Sequence, residues 1–141
     1  MRYLALDLGD RRIGIALSDQ TGRVARPLEV MKRTSRAADF AHIGELVVQH
    51  GVEALVVGLP LNMDGTEGSQ AAWVRDYSAA LAEAVGLPLH LWDERLTTEE
   101  AAGIMHEQGK HADKKWIDAV AAAVILQSYL DAGERELGIR N

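Results

Sequence analysis

Hydrophobic and polar positions along the chain change their period several times, and each change marks an element. Residues 3–8, YLALDL, form a short apolar run of strand character that carries a single acid, Asp7. Gly9-Asp10-Arg11 supplies a turn, and residues 13–17, IGIAL, read as a second strand, so the two predict a hairpin. Residues 24–32 read as a third strand, which Pro27 demotes towards a sheet edge. From Ser35 the spacing becomes helical and runs to about His50, with Ser35 as N-cap and Gly51 as the stop. Residues 54–57, ALVV, are continuous and rich in valine, as a strand buried on both faces should be.

Residues 58–68, GLPLNMDGTEG, are a loop by composition. A second helix covers residues 69–84 and is ended by Gly86-Leu87-Pro88, and residues 87–92 form a strand followed by Asp93-Glu94-Arg95. Thr97 with Glu100 fits a capping box for a short helix ending near Gly109, and a long last helix spans about 115–136. The order βββ-α-β-α-β-α-α predicts an α/β domain: a mixed sheet, first antiparallel and then parallel, with helices on both faces. No linker or repeat divides the chain, so residues 1–141 read as one domain.

Composition narrows the function. An apolar fraction of 48% with 26% charged residues describes a globular chain, and no apolar run reaches the roughly eighteen residues of a membrane span. The absence of cysteine excludes disulfides and thiolate metal sites and suits the cytoplasm. A net charge of -6 weighs against a broad basic surface for nucleic acid. Local basic clusters remain at Arg11-Arg12, at Lys32-Arg33 with Arg36, and at Lys110-His111 with Lys114-Lys115.

The acids stand where acids are costly. A carboxylate in an apolar strand costs on the order of several kcal/mol unless something compensates it, and Asp7 is in that position. Asp93 and Glu94 sit at the carboxyl end of a later strand, where open α/β sheets bind ligands. Asp118 shares a helical stripe with Ala121, Ala122, Ile125 and Tyr129. Each has an ordinary explanation: a turn contact or pairing with Arg11 or Arg12 for Asp7, a cap for Asp93, pairing with Arg95 for Glu94, and the helix dipole for Asp118. Together, three acids from three segments would repel one another unless cations bridge them, and oxygen-only ligands select Mg²⁺ or Mn²⁺. Two such ions can activate water and stabilise the leaving oxygen in phosphodiester cleavage. Arg11, Arg12, Arg95, Thr97, Lys114 and Lys115 are the candidates for holding the nucleic-acid backbone. The five histidines show no metal-ligand spacing.

The blocks LDLGDRRIGIALSD, VVGLPLNMDGTEG, DERLTT and IDAVAAAVILQSYL, in this order from residue 3 to about 131, resemble the YqgF/RuvX family. These are small bacterial ribonuclease H-like proteins, described as pre-16S rRNA nucleases and as Holliday junction resolvases. The resemblance implies a ribonuclease H-like fold with a five-stranded sheet, a two-metal phosphodiesterase site, and maturation of the 5′ end of precursor 16S rRNA in the cytoplasm. It implies Asp7, Glu94 and Asp118 as catalytic ligands, with Glu94 favoured over the neighbouring Asp93. Arg11 stands where the family often has Lys. Branched DNA is the alternative substrate, and a resolvase would require a symmetric dimer, whereas an RNA nuclease could be a monomer.

Two other readings are available. The first block also resembles the first phosphate loop of actin-like ATPases and sugar kinases, but the chain is too short for their two domains. A non-catalytic module binding nucleic acid or a processing partner is compatible with the acidic net charge.

Overall fold

The computed structural model describes residues 1–97, 102–103 and 116–136. The strands are β1 (Tyr3–Leu8), β2 (Arg12–Ser18), β3 (Ala25–Lys32), β4 (Ala54–Leu59) and β5 (Leu89–Asp93). The helices are α1 (Arg36–His50), α2 (Ser69–Val85) and α3 (Ile117–Glu136), with a 3₁₀ turn at Glu94–Leu96. The strand order is β3-β2-β1-β4-β5. β1, β2 and β3 pair antiparallel, while β4 runs parallel to β1 and β5 parallel to β4. This is the mixed five-stranded sheet expected from the sequence.

Local signals explain most boundaries. Ser35 caps α1 by accepting a hydrogen bond from the Ala38 amide, and Gly51 closes it at φ 63°, a backbone conformation that glycine adopts without steric cost. Pro27 lies on the edge strand β3, where the register slips against β2 between Ile15 and Ala16, so its missing N–H breaks no interior ladder. Two boundaries differ from the sequence reading. β4 continues through Gly58 to Leu59, because the ladder with β5 carries on to the pair Leu59–Asp93. β5 starts at Leu89 rather than residue 87, because the Leu87 amide still bonds back to the Ala82 carbonyl at the end of α2. The expected short helix at 97–109 and the expected start of the last helix at residue 115 fall largely outside the described residues.

The sheet divides the core by the period of two. Leu4, Leu6 and Leu8 of β1, Ile13, Ile15 and Leu17 of β2, and Leu55, Val57 and Leu59 of β4 pack with Ile43 and Leu46 of α1 and Val74, Tyr77 and Leu81 of α2. Ala5, Ala16 and Val56 face the other way, under Ala122, Ala123, Ile125 and Leu126 of α3. Small sheet residues on that side let an alanine-rich helix lie close, while each large side chain buried opposite contributes about 1.5–3 kcal/mol. Asp7 follows Ala5 on the α3 side, so alternation alone aims the acid at the last helix.

The closest approach is at Gly14, the register partner of Asp7 on β2. A Cβ built on Gly14 would stand 1.9 Å from the Asp118 carbonyl oxygen and 3.0 Å from the Ala119 amide nitrogen. The first turn of α3 therefore rests on bare backbone beside Asp7. Gly14→Ala should destabilise the fold by at least about 3 kcal/mol, because backbone rather than a movable side chain must give way. A thermal melt unchanged from the parent would show that the helix does not dock there.

Candidate active site

Asp7 is the penultimate residue of β1, half-buried, with glycine on both sides. Gly14 flanks it on β2. On β4 the parallel register places Leu6 opposite Val57, so the next pair across the sheet is Asp7 and Gly58. A Cβ on Gly58 would meet Glu94 Oε1 and Ile125 Cδ1 at 2.7 Å each. The two missing side chains thus let the last helix and Glu94 come down onto the α3 face of the sheet beside Asp7. One borders the acid of the last helix and the other borders Glu94.

The strand period also separates Asp93 from Glu94. His90 and Trp92 of β5 pack against the Tyr129 ring of α3, Trp92 edge to face, whereas Leu89 and Leu91 pack against the opposite core. Counting by two places Asp93 with Leu91, and Glu94 with Trp92 on the side of Asp7. Asp93 is committed elsewhere: its carboxylate caps the 3₁₀ turn through the Arg95 amide at 2.9 Å. It also takes the Arg95 guanidinium, Nη2 at 2.7 Å and Nε at 3.1 Å from Oδ2. Those hydrogen bonds hold the Asp93 pKa below the usual carboxylate value. Arg95 donates further to the Met63 carbonyl at 3.2 Å, and the Thr97 hydroxyl donates to the Glu94 carbonyl at 3.1 Å. Both residues thus build the turn that presents Glu94.

Asp118 lies in the first turn of α3 and accepts from Arg12 Nε at 2.9 Å. With Gly9, Asp10 and Arg11, this pair lines a cavity of about 270 Å³. Arg33, absent from the sequence-derived candidates, anchors the turn from behind. Its Nη1 donates to the Gly9 and Asp10 carbonyls at 3.0 and 2.8 Å, and its guanidinium lies 4.3 Å from the centre of the Trp73 ring. No spacing rule signals such a clamp. Neither glycine is singled out in the sequence: Gly14 lies inside a strand pattern, which can signal a close approach, whereas Gly58 reads as the start of a loop. Lys114 and Lys115 fall outside the described residues.

The electrostatics single out two acids. Burial, and then the charge of Asp118, push the Asp7 pKa up to about 6. Burial, followed by the charges of Asp7 and Asp93, pushes Glu94 up to about 7. Among the described residues no three His, Asp or Glu side chains are already drawn up as a metal cage, and Asp118 faces Arg12 instead. The donor set nevertheless fits a hard cation: it is all oxygen, half-buried, and short of positive charge at Asp7 and Glu94. His42 pairs with Glu29 at 2.7 Å and His90 meets the Tyr3 ring edge to face, so both serve the packing.

A model of the RuvX family, described as Holliday junction resolvase, matches residues 1–132. The chain belongs to the RuvX family. Among its RuvX relatives, a protein of Anaeromyxobacter sp. (strain Fw109-5) named "Putative pre-16S rRNA nuclease" is 51% identical over 133 residues, which is 93% of this chain and 97% of the relative. A Moorella thermoacetica protein of the same name is 48% identical over 133 residues, covering 93% and 95% of the two chains. Among solved structures, T. thermophilus RuvC in complex with Holliday junction substrate superposes with a TM-score of 0.66 at 18% identity, over 94% of this chain and 96% of that one. The Fowlpox virus Holliday junction resolvase reaches 0.54 at 10% identity, over 94% and 99%. At such identities the likeness establishes the fold, and it is the ribonuclease H-like fold that the sequence of this RuvX chain implied.

The raised acids make stability depend on pH. Between about pH 4, where free carboxyls titrate, and the values near 6 and 7 of Asp7 and Glu94, the folded chain binds more protons than the unfolded one. Stability is therefore full at the acid end of this window and falls as pH rises through 6 to 7. Asp7→Asn should relieve about 1–2 kcal/mol of that loss, allowing for partial solvent screening. In chelator at about pH 8, Tm should rise by a few degrees, and the gain should vanish at the acid end. A variant that melts lower than the parent at about pH 8 would contradict these charge states.

Proposed function

We propose that this chain is a divalent-metal-dependent nuclease that trims the 5′ side of precursor 16S rRNA in the cytoplasm. The observation that carries the reading is the meeting of acids from separated segments on one face of the sheet. Beyond burial, the charge of Asp118 raises the proton affinity of Asp7, and the charge of Asp7, followed by that of Asp93, raises that of Glu94. Relatives with close to half their residues in common, over nearly their whole length, carry the pre-16S rRNA nuclease name, which supports this substrate.

Asp7, Glu94 and Asp118 are the residues that would hold Mg²⁺ or Mn²⁺, two ions in the fullest form of the reading. When bound, such cations supply Lewis-acid activation of water and neutralise charge on the phosphate. The other roles belong to this chain. Arg11 and Arg12 face the cavity beside Asp118, where guanidinium forks can grip phosphate oxygens in two-pronged fashion. The Asp93–Arg95 lock fixes the 3₁₀ turn, and with it the backbone that carries Glu94. Arg33 holds the carbonyls of the β1–β2 turn and so sets the position of the two arginines. Lys114 and Lys115 are further candidates for contact with the nucleic-acid backbone.

A second reading, action on four-way DNA, draws on the description of the matching family model. It requires two such sites in a symmetric dimer, whereas trimming an RNA end is within reach of a monomer. Labelled precursor RNA and a four-way DNA junction, each incubated with Mg²⁺, Mn²⁺ or EDTA, separate the readings. Metal-dependent cleavage of RNA is expected, with Asp7→Asn and Glu94→Gln each lowering the rate at least about a hundredfold. Asp93→Asn should stay within about fivefold of the parent, because the asparagine carbonyl can still accept from the Arg95 amide and keep the turn. Binding without cleavage, whatever the metal, would replace the nuclease by a non-catalytic module. Preferential cutting of the junction by a dimer would replace RNA by DNA.

A further inference from the structure

Two arginine–aspartate pairs flank the acids, and they differ in kind. Asp93 and Arg95 lie two residues apart in sequence, joined by side-chain bonds from both Nε and Nη2 and by a backbone bond. Arg12 and Asp118 are 106 residues apart and share one bond, from Nε, with side chains 62% and 32% exposed. The first pair is a lock. The second is a contact that either partner can leave.

Resting on the nuclease reading, we propose that Arg12 is a positioning residue that couples nucleic-acid binding to metal binding. With no nucleic acid present, its guanidinium holds Asp118, the cation of the protein standing where a divalent cation would draw the same carboxylate. An incoming phosphate competes for that guanidinium. As Arg12 turns to the phosphate, Asp118 is released to face Asp7.

Three observations carry the exchange. The backbone beneath Arg12 is fixed: Arg12 pairs with Lys32 across the ladder, the Arg33 amide bonds to the Arg11 carbonyl at 2.8 Å, and Arg33 Nη1 clamps the turn. The motion is therefore a side-chain swing, not a rearrangement of the loop. The pair lines an open cavity with Arg11, so phosphate can reach the guanidinium where it already lies. Arg12 spends only Nε on Asp118, and a guanidinium has five N–H donors, so the terminal amines can engage a phosphate before the first bond breaks. An exposed pair of this kind is worth up to about fivefold in an equilibrium constant, which a phosphate contact can match. By linkage, nucleic acid then tightens the cation by the same factor as the cation tightens nucleic acid.

The test is Mn²⁺ affinity, read by electron paramagnetic resonance on the full chain. It is measured with and without a cleavage-resistant phosphorothioate oligoribonucleotide, after subtracting uptake by the oligonucleotide alone. Without the oligonucleotide, Arg12→Gln should bind Mn²⁺ about three- to fivefold tighter than the parent. Arg11→Gln removes the same charge without touching Asp118 and should change affinity by less than about twofold. Adding the oligonucleotide should tighten Mn²⁺ binding to the parent by a similar three- to fivefold factor, and should leave Arg12→Gln unmoved. Arg12→Lys should regain part of the coupling. Equal effects of the Arg11 and Arg12 variants, or full coupling in Arg12→Gln, would overturn the proposal. Failure of the nuclease reading looks different: Mn²⁺ uptake unchanged in Asp118→Asn removes both, whereas uptake that needs Asp118 but ignores Arg12 removes the coupling alone.

Discussion

An acid at the end of a central strand, with backbone instead of side chains on either side of it, is the constraint around which this domain is arranged. Asp7 can lie under α3 only because Gly14 lets the helix rest on the sheet and Gly58 leaves space for Glu94. The alanines of α3 and the small residues of the sheet bring the helix down along its length, and the first turn delivers Asp118 to that spot. Packing and chemistry are thus one problem. The side of the sheet on which helix backbone meets strand backbone is the side that gathers these acids.

The opposite face makes this arrangement affordable in stability. Leucine, isoleucine and valine from three strands meet α1 and α2 there and form the larger core. Tyr77 belongs to that core and also donates to the buried carboxylate of Asp39, while Arg33 lies over Trp73 and reaches the turn. The supporting core and the site are therefore connected through one arginine. A group of mutually repelling acids on one face is tolerated because the other face is a buried apolar core tied to the turn beneath the arginines.

Much of this was legible in the sequence because it follows from periods and caps. The α/β order, the edge position of β3, the Ser35 cap and the Gly51 stop all rest on local chemistry that a single segment carries. Asp7 stood out because an acid is costly in an apolar strand. The choice between Asp93 and Glu94 was harder, since it depends on where β5 ends, and one residue of register exchanges the faces. The pairing of Arg12 with Asp118 lies beyond any local rule: 106 residues separate the partners, and their meeting depends on the docking of α3. The same holds for Arg33, read from the sequence as part of a basic surface cluster but turned inward onto two carbonyls.

The claim that divalent ions compensate these carboxylates is tested most directly by carbon NMR titration of the Asp7, Glu94 and Asp118 carboxyl groups, with and without Mg²⁺. Without the ion, Asp7 should titrate near 6 and Glu94 near 7. With it, both should move down to or below the ordinary carboxyl range, and the resonance of the Asp118 carboxyl carbon should change on adding the ion. Titration curves that ignore Mg²⁺ would contradict the account, leaving three acids gathered for some purpose other than holding a metal.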